Sequence, residues 1–128
     1  MNETIAYLKS LLNENDTLIV GLSGGPDSMC LLSILKNFPI SLNIICAHIN
    51  HNIRQESNDE ELFIIDYCKK NNLIIETTKF PKKAKDADYS EAELREMRYK
   101  YFEEIVRKYN AQYLFTAHHG DDLIETIL

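Results

Sequence analysis

Residues 23–28, Ser-Gly-Gly-Pro-Asp-Ser, have the chemistry of a turn that binds phosphate. Adjacent glycines let an anion approach main-chain N–H groups, and Pro26 suits a first helical turn, where its missing N–H costs nothing. The hydroxyls of Ser23 and Ser28 can donate to phosphate oxygens. The Asp27 carboxylate fits beside phosphate only if a cation is bound as well.

This turn matches neither of the two most familiar phosphate loops. No lysine follows the glycines, as the Walker loop requires, and their spacing differs from the G-x-G-x-x-G of dinucleotide-binding loops. Taken alone, the hexamer could still be an ordinary turn that is rich in turn-forming residues. The apolar segment before it and the amphipathic segment after it favour an anion site between a strand and a helix.

All four histidines of the chain follow predicted strands: His48 and His51 after the second, His118 and His119 after the fourth. With the turn after the first strand, three segments bring polar groups to one edge of the predicted sheet. Any one of these histidines could have a structural role, but the grouping favours an active site. A hydrolase metal site is the alternative, and it leaves the glycine turn unexplained.

Charged residues on two predicted helices could reach the same edge. Arg95 and Arg98 lie one turn apart on a long helix, although they could equally form surface pairs with nearby glutamates. Asp121 and Asp122 stand at the predicted start of the last helix, where carboxylates are also favoured simply as caps.

Short apolar segments alternate with amphipathic ones along the chain, which predicts an α/β fold. The predicted strands are 16–22, 41–47, 73–78 and 111–117, and the predicted helices are 5–12, 26–36, 57–70, 91–109 and one from about 121. Capping boxes are predicted at Ser57–Glu60 and Ser90–Glu93. This alternation implies a Rossmann-like parallel sheet with helices on both faces and a ligand at its carboxyl edge.

Composition limits the class of protein. The 128 residues suit one domain, and no apolar run or basic N-terminus indicates a membrane span or a signal peptide, so a cytoplasmic location is expected. Three cysteines without a C-x-x-C pair indicate reduced, packed thiols. The net charge of −6 argues weakly against a nucleic-acid partner. The lysines at 79, 82, 83 and 85 could lie in a solvated surface loop or could contact a phosphate backbone.

Four segments, in this order and spacing, resemble the N-terminal domain of the tRNA(Ile)-lysidine synthetase family. They are residues 23–28, 48–54, 93–99 and 117–126. The first is similar to the pyrophosphate loop (PP-loop) of ATP pyrophosphatases, while the last two separate the chain from GMP and asparagine synthetases. The tRNA thiolation enzymes rely on cysteine pairs that this chain lacks. Leu123 replaces the usual glutamine and Asn52 the usual glycine, although asparagine tolerates left-handed backbone angles.

The resemblance implies an adenine nucleotide alpha hydrolase-like fold and a reaction that uses ATP and Mg²⁺. ATP adenylates the wobble cytidine of a tRNA(Ile) with a CAU anticodon, and free lysine then displaces AMP. It also implies a set of site residues. Ser23, Gly24, Gly25, Pro26, Asp27 and Ser28 would bind pyrophosphate; Asp27 and Asp122 would hold Mg²⁺; Ala47, His48 and Asn50 would lie beside the nucleoside; and Asp27, Arg98, His118 and Asp122 would be catalytic.

The individual roles of these residues stay open. Asp122 or His118 could receive the lysine ammonium or its proton, and Arg98 could stabilise the adenylated base or the phosphate. Residues 1–128 are expected to form a truncated PP-loop domain, because Leu128 falls inside the predicted last helix, with C-terminal tRNA-binding domains absent. The oligomeric state stays open, with a homodimer as one option. The alternative functions are a thiolation-type enzyme and a non-catalytic ATP-binding fragment.

Overall fold

The computed structural model describes residues 2–23, 25–52, 55–82, 89–117 and 125–126. Its elements are α1 (Asn2–Leu11), β1 (Thr17–Gly21), α2 (Pro26–Lys36), β2 (Asn43–Asn50), α3 (Gln55–Lys70), β3 (Ile74–Lys79), α4 (Glu91–Tyr109), β4 (Tyr113–Thr116) and β5 (Glu125–Thr126). Within these ranges, no helix combines the length and the apolar character that crossing a membrane would require.

The strands form one sheet in the order β3-β2-β1-β4-β5. The first four strands are parallel, and β1 lies at their centre, where Val20 is in register with Cys46 of β2 and Phe115 of β4. Strand β1 is buried on both faces, as expected of an apolar, β-branched segment in a parallel sheet. The predicted α/β fold with a parallel sheet is therefore confirmed.

Alternate residues of β1 serve two separate cores. Leu18 and Val20 pack with apolar side chains of α1, α2 and α3, whereas Ile19 packs with Phe102 and Ile105 of α4. This alternation follows from the two-residue repeat of a strand. Helices therefore cover both faces of the sheet, as predicted.

Strand β2 is longer than predicted. The predicted end at Ala47 is wrong, because β2 continues to Asn50 and pairs with β3 from Ile45↔Ile74 to Asn50↔Lys79. His48 and Asn50 are therefore strand residues rather than loop residues, and both are buried. Their polarity suggested a loop, but both side chains have hydrogen-bond partners inside the fold. His48 Nδ1 pairs with the Leu22 carbonyl, and the Asn50 amide pairs with Asn58 and Glu61 of α3.

The start of α3 also differs from the prediction. The helix begins at Gln55, so Ser57 lies within its first turns and the predicted capping box at Ser57–Glu60 is wrong. The box at Ser90–Glu93 is confirmed: the Ser90 hydroxyl accepts the Glu93 N–H at 3.1 Å, and the Glu93 carboxylate accepts the Ser90 N–H at 3.0 Å. It fixes the start of α4, the helix that carries both candidate arginines.

Strand β5 replaces part of the predicted last helix. Glu125 and Thr126 pair antiparallel with Thr116 and Phe115, so the helix is wrong at these two positions and the sheet is not wholly parallel. The pairing supplies hydrogen bonds to an edge of β4 that would otherwise be exposed. Residues 121–124, where the same helix was predicted to start, lie outside the described residues.

Gly21 of β1 has no room for a side chain beside Thr116 of β4 and Phe102 of α4. A Cβ atom built there would lie 2.9 Å from Thr116 Cγ2 and 3.2 Å from Phe102 Cζ. We therefore expect Gly21→Ala to lower the free energy of unfolding by about 1–3 kcal/mol, because the site is already filled. Thermal unfolding of the purified chain measures the change.

The matched control is the double variant Gly21→Ala/Thr116→Ser. Serine lacks the Cγ2 methyl group that the new Cβ would meet, so part of the lost stability should return. Equal stability of Gly21→Ala and the unmodified chain would contradict this account of the β1–α4 contact.

Candidate functional site

Ser28 shapes the turn between β1 and α2 from beneath. Its hydroxyl is buried, donates to the Gly25 carbonyl at 3.1 Å and accepts the Ser23 N–H at 3.2 Å. The Ser23 hydroxyl lies 3.3 Å from Ser28 Oγ and also accepts the Gly25 N–H at 3.4 Å. The two predicted phosphate donors thus hold each other in place, and Ser28 acts first as a support for the turn.

The N-terminus of α2 is open above this support. Gly25 is the N-cap residue, no side chain caps the helix, and Pro26 occupies the first turn. The first intrahelical bond runs from the Met29 N–H to the Gly25 carbonyl. By helix geometry the N–H groups of Asp27 and Ser28 have no intrahelical acceptor, and the positive end of the helix dipole lies beside them. The arrangement has the properties of an anion site.

A cavity of about 470 Å³ opens at this helix end. It lies at the carboxyl edge of the sheet, between β1 and β4, where the strand order reverses and open α/β sheets bind ligands. Among the predicted site residues, its lining includes Ser23, Gly25, Pro26, Asp27, Ser28, His48 and Arg98. The structure therefore brings the turn, the second strand and the long helix together around one space.

A second hollow adjoins this cavity on the α4 side. His51, Arg98 and Tyr99 line both spaces, and Arg95 lines the second one. The Arg95 guanidinium lies over the Tyr99 ring at 5.4 Å from its centroid, a cation–π contact. Arg98 therefore lines both the cavity and the second hollow, whereas Arg95 lines only the second hollow.

His48 forms the wall of the cavity next to the turn. It is 3% exposed, and its Nδ1 lies 2.7 Å from the carbonyl oxygen of Leu22, the residue before the turn. The other ring nitrogen, Nε2, is buried and has no hydrogen-bond partner within the described ranges.

Ala47 and Asn50, predicted to lie beside a nucleoside, do not line the cavity. Ala47 is fully buried in the core under α4. The Asn50 amide donates to Asn58 Oδ1 at 2.9 Å and to Glu61 Oε2 at 3.0 Å, and its oxygen accepts the Asn52 N–H at 2.8 Å. Asn50 therefore ties the end of β2 to α3, while a role beside the nucleotide stays a prediction.

Asn52 adopts the left-handed conformation, with a φ of 59°. This agrees with the expectation that asparagine tolerates left-handed backbone angles at this position. Its side chain donates to the Phe80 carbonyl at 3.2 Å, and the Phe80 ring contacts His51 edge-on at 5.4 Å between centroids. The turn after β2 is thus fastened to the chain beyond β3, and it holds His51 at the cavity.

Several predicted site residues lie outside the described residues. They are Gly24, His118, His119, Asp121, Asp122 and Leu123. The paired Mg²⁺ ligands Asp27 and Asp122 therefore remain a prediction. In the part of the chain that the structure does describe, no group of three or more histidine, cysteine, aspartate or glutamate residues is placed to hold a metal ion.

The cavity also has lining residues that the sequence did not single out, among them Glu60, Phe102 and Thr116. The position of Thr116 at the carboxyl end of β4 was a signal that could have identified it. The sequence placed Glu60 in a predicted capping box of α3, and nothing in that pattern pointed to a position at the cavity. Its place depends on how α3 packs over β2.

The environment of His51 favours its neutral form. Burial lowers the pKa of this imidazole below its usual range, the positive charge of Arg98 and the nearby His48 lower it further, and Glu60 partly opposes them. Because the folded chain binds this proton more weakly than the unfolded chain, the neutral ring's stabilising contribution is present above the ordinary pKa. It is lost as the pH falls through that value towards the pKa in the folded state.

We expect Arg98→Gln to raise the pKa of His51, because the positive charge of Arg98, which lowers that pKa, is removed. NMR titration of the His51 ring proton measures the change. Arg107→Gln is the matched control, since Arg107 pairs with Glu103 near the other end of α4 and should leave the His51 titration unaltered. An unchanged His51 pKa in Arg98→Gln would rule out this electrostatic coupling.

We expect Asn50→Asp to destabilise the chain by about 2–4 kcal/mol at neutral pH, because it exchanges a donor for a carboxylate facing Glu61. The loss should shrink in acid, where protonation removes the repulsion. Urea unfolding measures both effects. Asn43→Asp is the control on the same strand: its exposed amide makes a bond to the Asn15 carbonyl, and about 1 kcal/mol or less should be lost. Equal losses in the two variants would contradict the buried role of Asn50.

The sequence of the chain is similar to that of a known protein family. The family model described as PP-loop domain matches residues 1–128. The chain is 41% identical over 132 residues to tRNA(Ile)-lysidine synthase of Bacillus subtilis (strain 168), covering 94% of this chain and 28% of that protein. It is 42% identical over 125 residues to tRNA(Ile)-lysidine synthase of Clostridium tetani (strain Massachusetts / E88), covering 93% and 27%. The chain thus spans little more than a quarter of these relatives.

A solved structure shares the fold. U34-tRNA thiolase NcsA from Methanococcus maripaludis, with its 4Fe-4S cluster, superposes with a TM-score of 0.75 at 18% sequence identity, covering 91% of this chain and 44% of that one. At this identity the likeness concerns the fold alone. Since the family model matches the chain from its first residue to its last, this protein belongs to the PP-loop domain family.

Proposed function

We propose that this chain is the ATP-binding part of an enzyme that joins free lysine to the wobble cytidine of a tRNA(Ile) with a CAU anticodon. One observation carries the proposal: the uncapped N-terminus of α2 opens, with Asp27, into a cavity that Arg98 also lines. Membership of the PP-loop family implies ATP binding. Relatives about 40% identical carry the name tRNA(Ile)-lysidine synthase, which supports this substrate among the PP-loop reactions.

The proposed reaction has two steps. The ring carbonyl oxygen of the cytidine attacks the α-phosphorus of ATP, and pyrophosphate leaves. The lysine amine then attacks the adenylated carbon, the new C–N bond forms, the C–O bond breaks and AMP leaves. The amine must lose a proton before or during attack, and His118 and Asp122 remain the candidate acceptors.

The turn has the groups that the first step needs. The free N–H groups at the start of α2 can donate to the pyrophosphate as its negative charge develops, and the Ser23 hydroxyl can do so once it turns away from Ser28 Oγ. Arg98 lies across the cavity on α4 and offers a fixed positive charge to the phosphate or to the adenylated base. The support that Ser28 gives keeps these donors in place before ATP arrives.

The donor set at the turn suits Mg²⁺. Asp27 is a carboxylate in the first turn of α2, beside the N–H groups proposed to hold phosphate oxygens. Mg²⁺ is commonly bound by one or two carboxylates together with phosphate oxygens, so Asp27 would be one ligand and Asp122 the second. When bound, the ion would neutralise charge on the leaving pyrophosphate.

The positions of the cysteines favour lysidine formation over thiolation. Cys46 and Cys68 are buried in the core under α2 and α3, Cys30 lies on α2, and no cysteine is found among the cavity-lining residues that the structure describes. Thiolation enzymes of this family were expected to use cysteine pairs at the site. The buried thiols of Cys46 and Cys68, which form no disulfide, also fit the proposed cytoplasmic location, which keeps cysteines reduced.

We expect Asp27→Asn to weaken binding of ATP at least ten-fold when Mg²⁺ is present and to have little effect when the ion is chelated, because the lost carboxylate acts through Mg²⁺. Calorimetry with the purified chain measures both affinities. Asp66→Asn is the matched control, since Asp66 is exposed on α3 in a pair with Lys70 that contributes little.

Substrate identity is tested separately. In the presence of ATP, Mg²⁺ and a tRNA(Ile) with a CAU anticodon, labelled lysine should enter the tRNA and pyrophosphate should be released, whereas a tRNA with uridine at the wobble position should support neither. Sulfur transfer to the tRNA, or a wild-type chain that does not bind ATP, would contradict the proposed function.

A further inference from the structure

His51 lies at the boundary between the cavity and the second hollow. Both spaces are lined by His51, Arg98 and Tyr99, so a reactant in the hollow would meet a nucleotide in the cavity beside these side chains. The edge-on contact with the Phe80 ring helps to hold the imidazole there. Of the three shared side chains, His51 is the one whose charge changes near neutral pH, because arginine stays protonated and tyrosine stays neutral. His51 is therefore the shared residue that can exchange a proton with a reactant.

The charges around His51 oppose its protonation when no ligand is present. Burial lowers its pKa, Arg98 of α4 and His48 of β2 lower it further, and Glu60 of α3 raises it. The neutral ring has one unprotonated nitrogen, but a proton accepted there would lie near the Arg98 guanidinium. Without a ligand, His51 is therefore a weak base. The other charged side chains that line the two spaces, among those described, are Asp27 in the cavity and Glu91 and Arg95 in the hollow.

A bound nucleotide would change this balance. ATP remains net negative after it binds one Mg²⁺, and both Arg98 and His51 line the cavity proposed to hold it. Negative charge near His51 offsets the guanidinium and favours the imidazolium, so the pKa of His51 should rise towards its ordinary value. General bases work best when their pKa lies near the operating pH. The imidazole should therefore be a better proton acceptor when the nucleotide is present.

We propose that His51 accepts the proton of the attacking lysine amine, and that it does so only once the negative charge of the nucleotide lies beside it and Arg98. The inference rests on the proposed function and adds to it a proton acceptor and a condition for its action. The described residues place His51 at the site, whereas His118 and Asp122 lie outside them. Because the base is effective only with nucleotide bound, attack by lysine follows nucleotide binding.

The proton leaves the lysine ammonium before the C–N bond forms. An N–H bond of the ammonium breaks, its electron pair stays on the amine nitrogen, and the unprotonated nitrogen of His51 takes the proton. The amine pair then forms the bond to the adenylated carbon, and the C–O bond breaks with its pair on AMP. The imidazolium releases its proton to water through the second hollow, and departure of AMP returns the ring to its weakly basic state.

NMR titration of the unmodified chain tests the effect of the nucleotide. With saturating ATP and Mg²⁺, the His51 ring should bind its proton about ten-fold more tightly than in the ligand-free chain. Adenosine is the matched ligand, because it carries the nucleoside without the negative charge, and it should not raise the pKa of His51. An unchanged pKa with ATP, or an equal rise with adenosine, overturns the inference.

The variant His51→Gln tests the proton transfer itself. With ATP, Mg²⁺ and the tRNA, lysine transfer at neutral pH should be at least about a hundred-fold slower than in the wild type. The wild-type rate should level off above the pKa of His51, whereas the rate of the variant should keep rising towards the pKa of the amine. Identical pH profiles in the two proteins would mean that His51 does not take the proton.

Hydroxylamine is the matched nucleophile for this variant. It is mostly uncharged at neutral pH, so it needs no base before it attacks the adenylated carbon. The large difference between wild type and His51→Gln should therefore nearly disappear when hydroxylamine replaces lysine. Equal slowing with both nucleophiles would assign His51 a structural role and overturn the inference.

The two proposals fail in different ways. A wild-type chain that does not bind ATP with Mg²⁺, or that transfers no lysine to the tRNA, contradicts the proposed function and, with it, the role of His51. Lysine transfer by the wild type, together with a His51 pKa that ATP leaves unchanged or an equally active His51→Gln, contradicts the inference alone.

Discussion

The parallel pairing of β1 with both of its neighbours is the constraint on which the site depends. Gly21, the last residue of β1, is in register with Ala47 of β2 and Thr116 of β4, so the turn that follows begins between two other strand ends. Connections from β1 and from β3 cover opposite faces of the sheet, which opens a crevice between β1 and β4. The turn, His48 and Arg98 meet because of this topology.

Buried polar side chains define the same edge. Ser28, His48 and Asn50 are the buried polar residues among those described, and all three lie at or beside the carboxyl ends of β1 and β2. Ser28 holds the turn, and Asn50 fastens β2 to α3, each with several partners. Most such groups inside a fold are paired. His48 Nδ1 is bonded to the Leu22 carbonyl, while its Nε2 has no partner among the described residues.

The sequence predicted those features that depend on local patterns. The apolar segment of β1, the turn with its helix, and the capping box at Ser90 are all local, and they were predicted correctly. The end of β2 was predicted wrongly, because its polar residues are paired inside the fold by groups outside the strand. His48 is bonded to the Leu22 carbonyl and Asn50 to the Glu61 carboxylate. The position of Glu60 at the cavity likewise depends on how α3 packs, and the hydrophobic periodicity of the sequence does not predict this packing.

The charges around the cavity explain why a cation is needed in the proposed reaction. Of the cavity-lining residues described, Asp27 and Glu60 are acidic and Arg98 alone is always cationic, while His51 is held towards its neutral form. One guanidinium and the roughly half charge of a helix N-terminus do not outweigh two carboxylates. A triphosphate without a cation would therefore meet a net negative charge among the described cavity-lining residues. In the proposed reaction a divalent cation held by Asp27 would offset this charge, and ATP would bind as its metal complex.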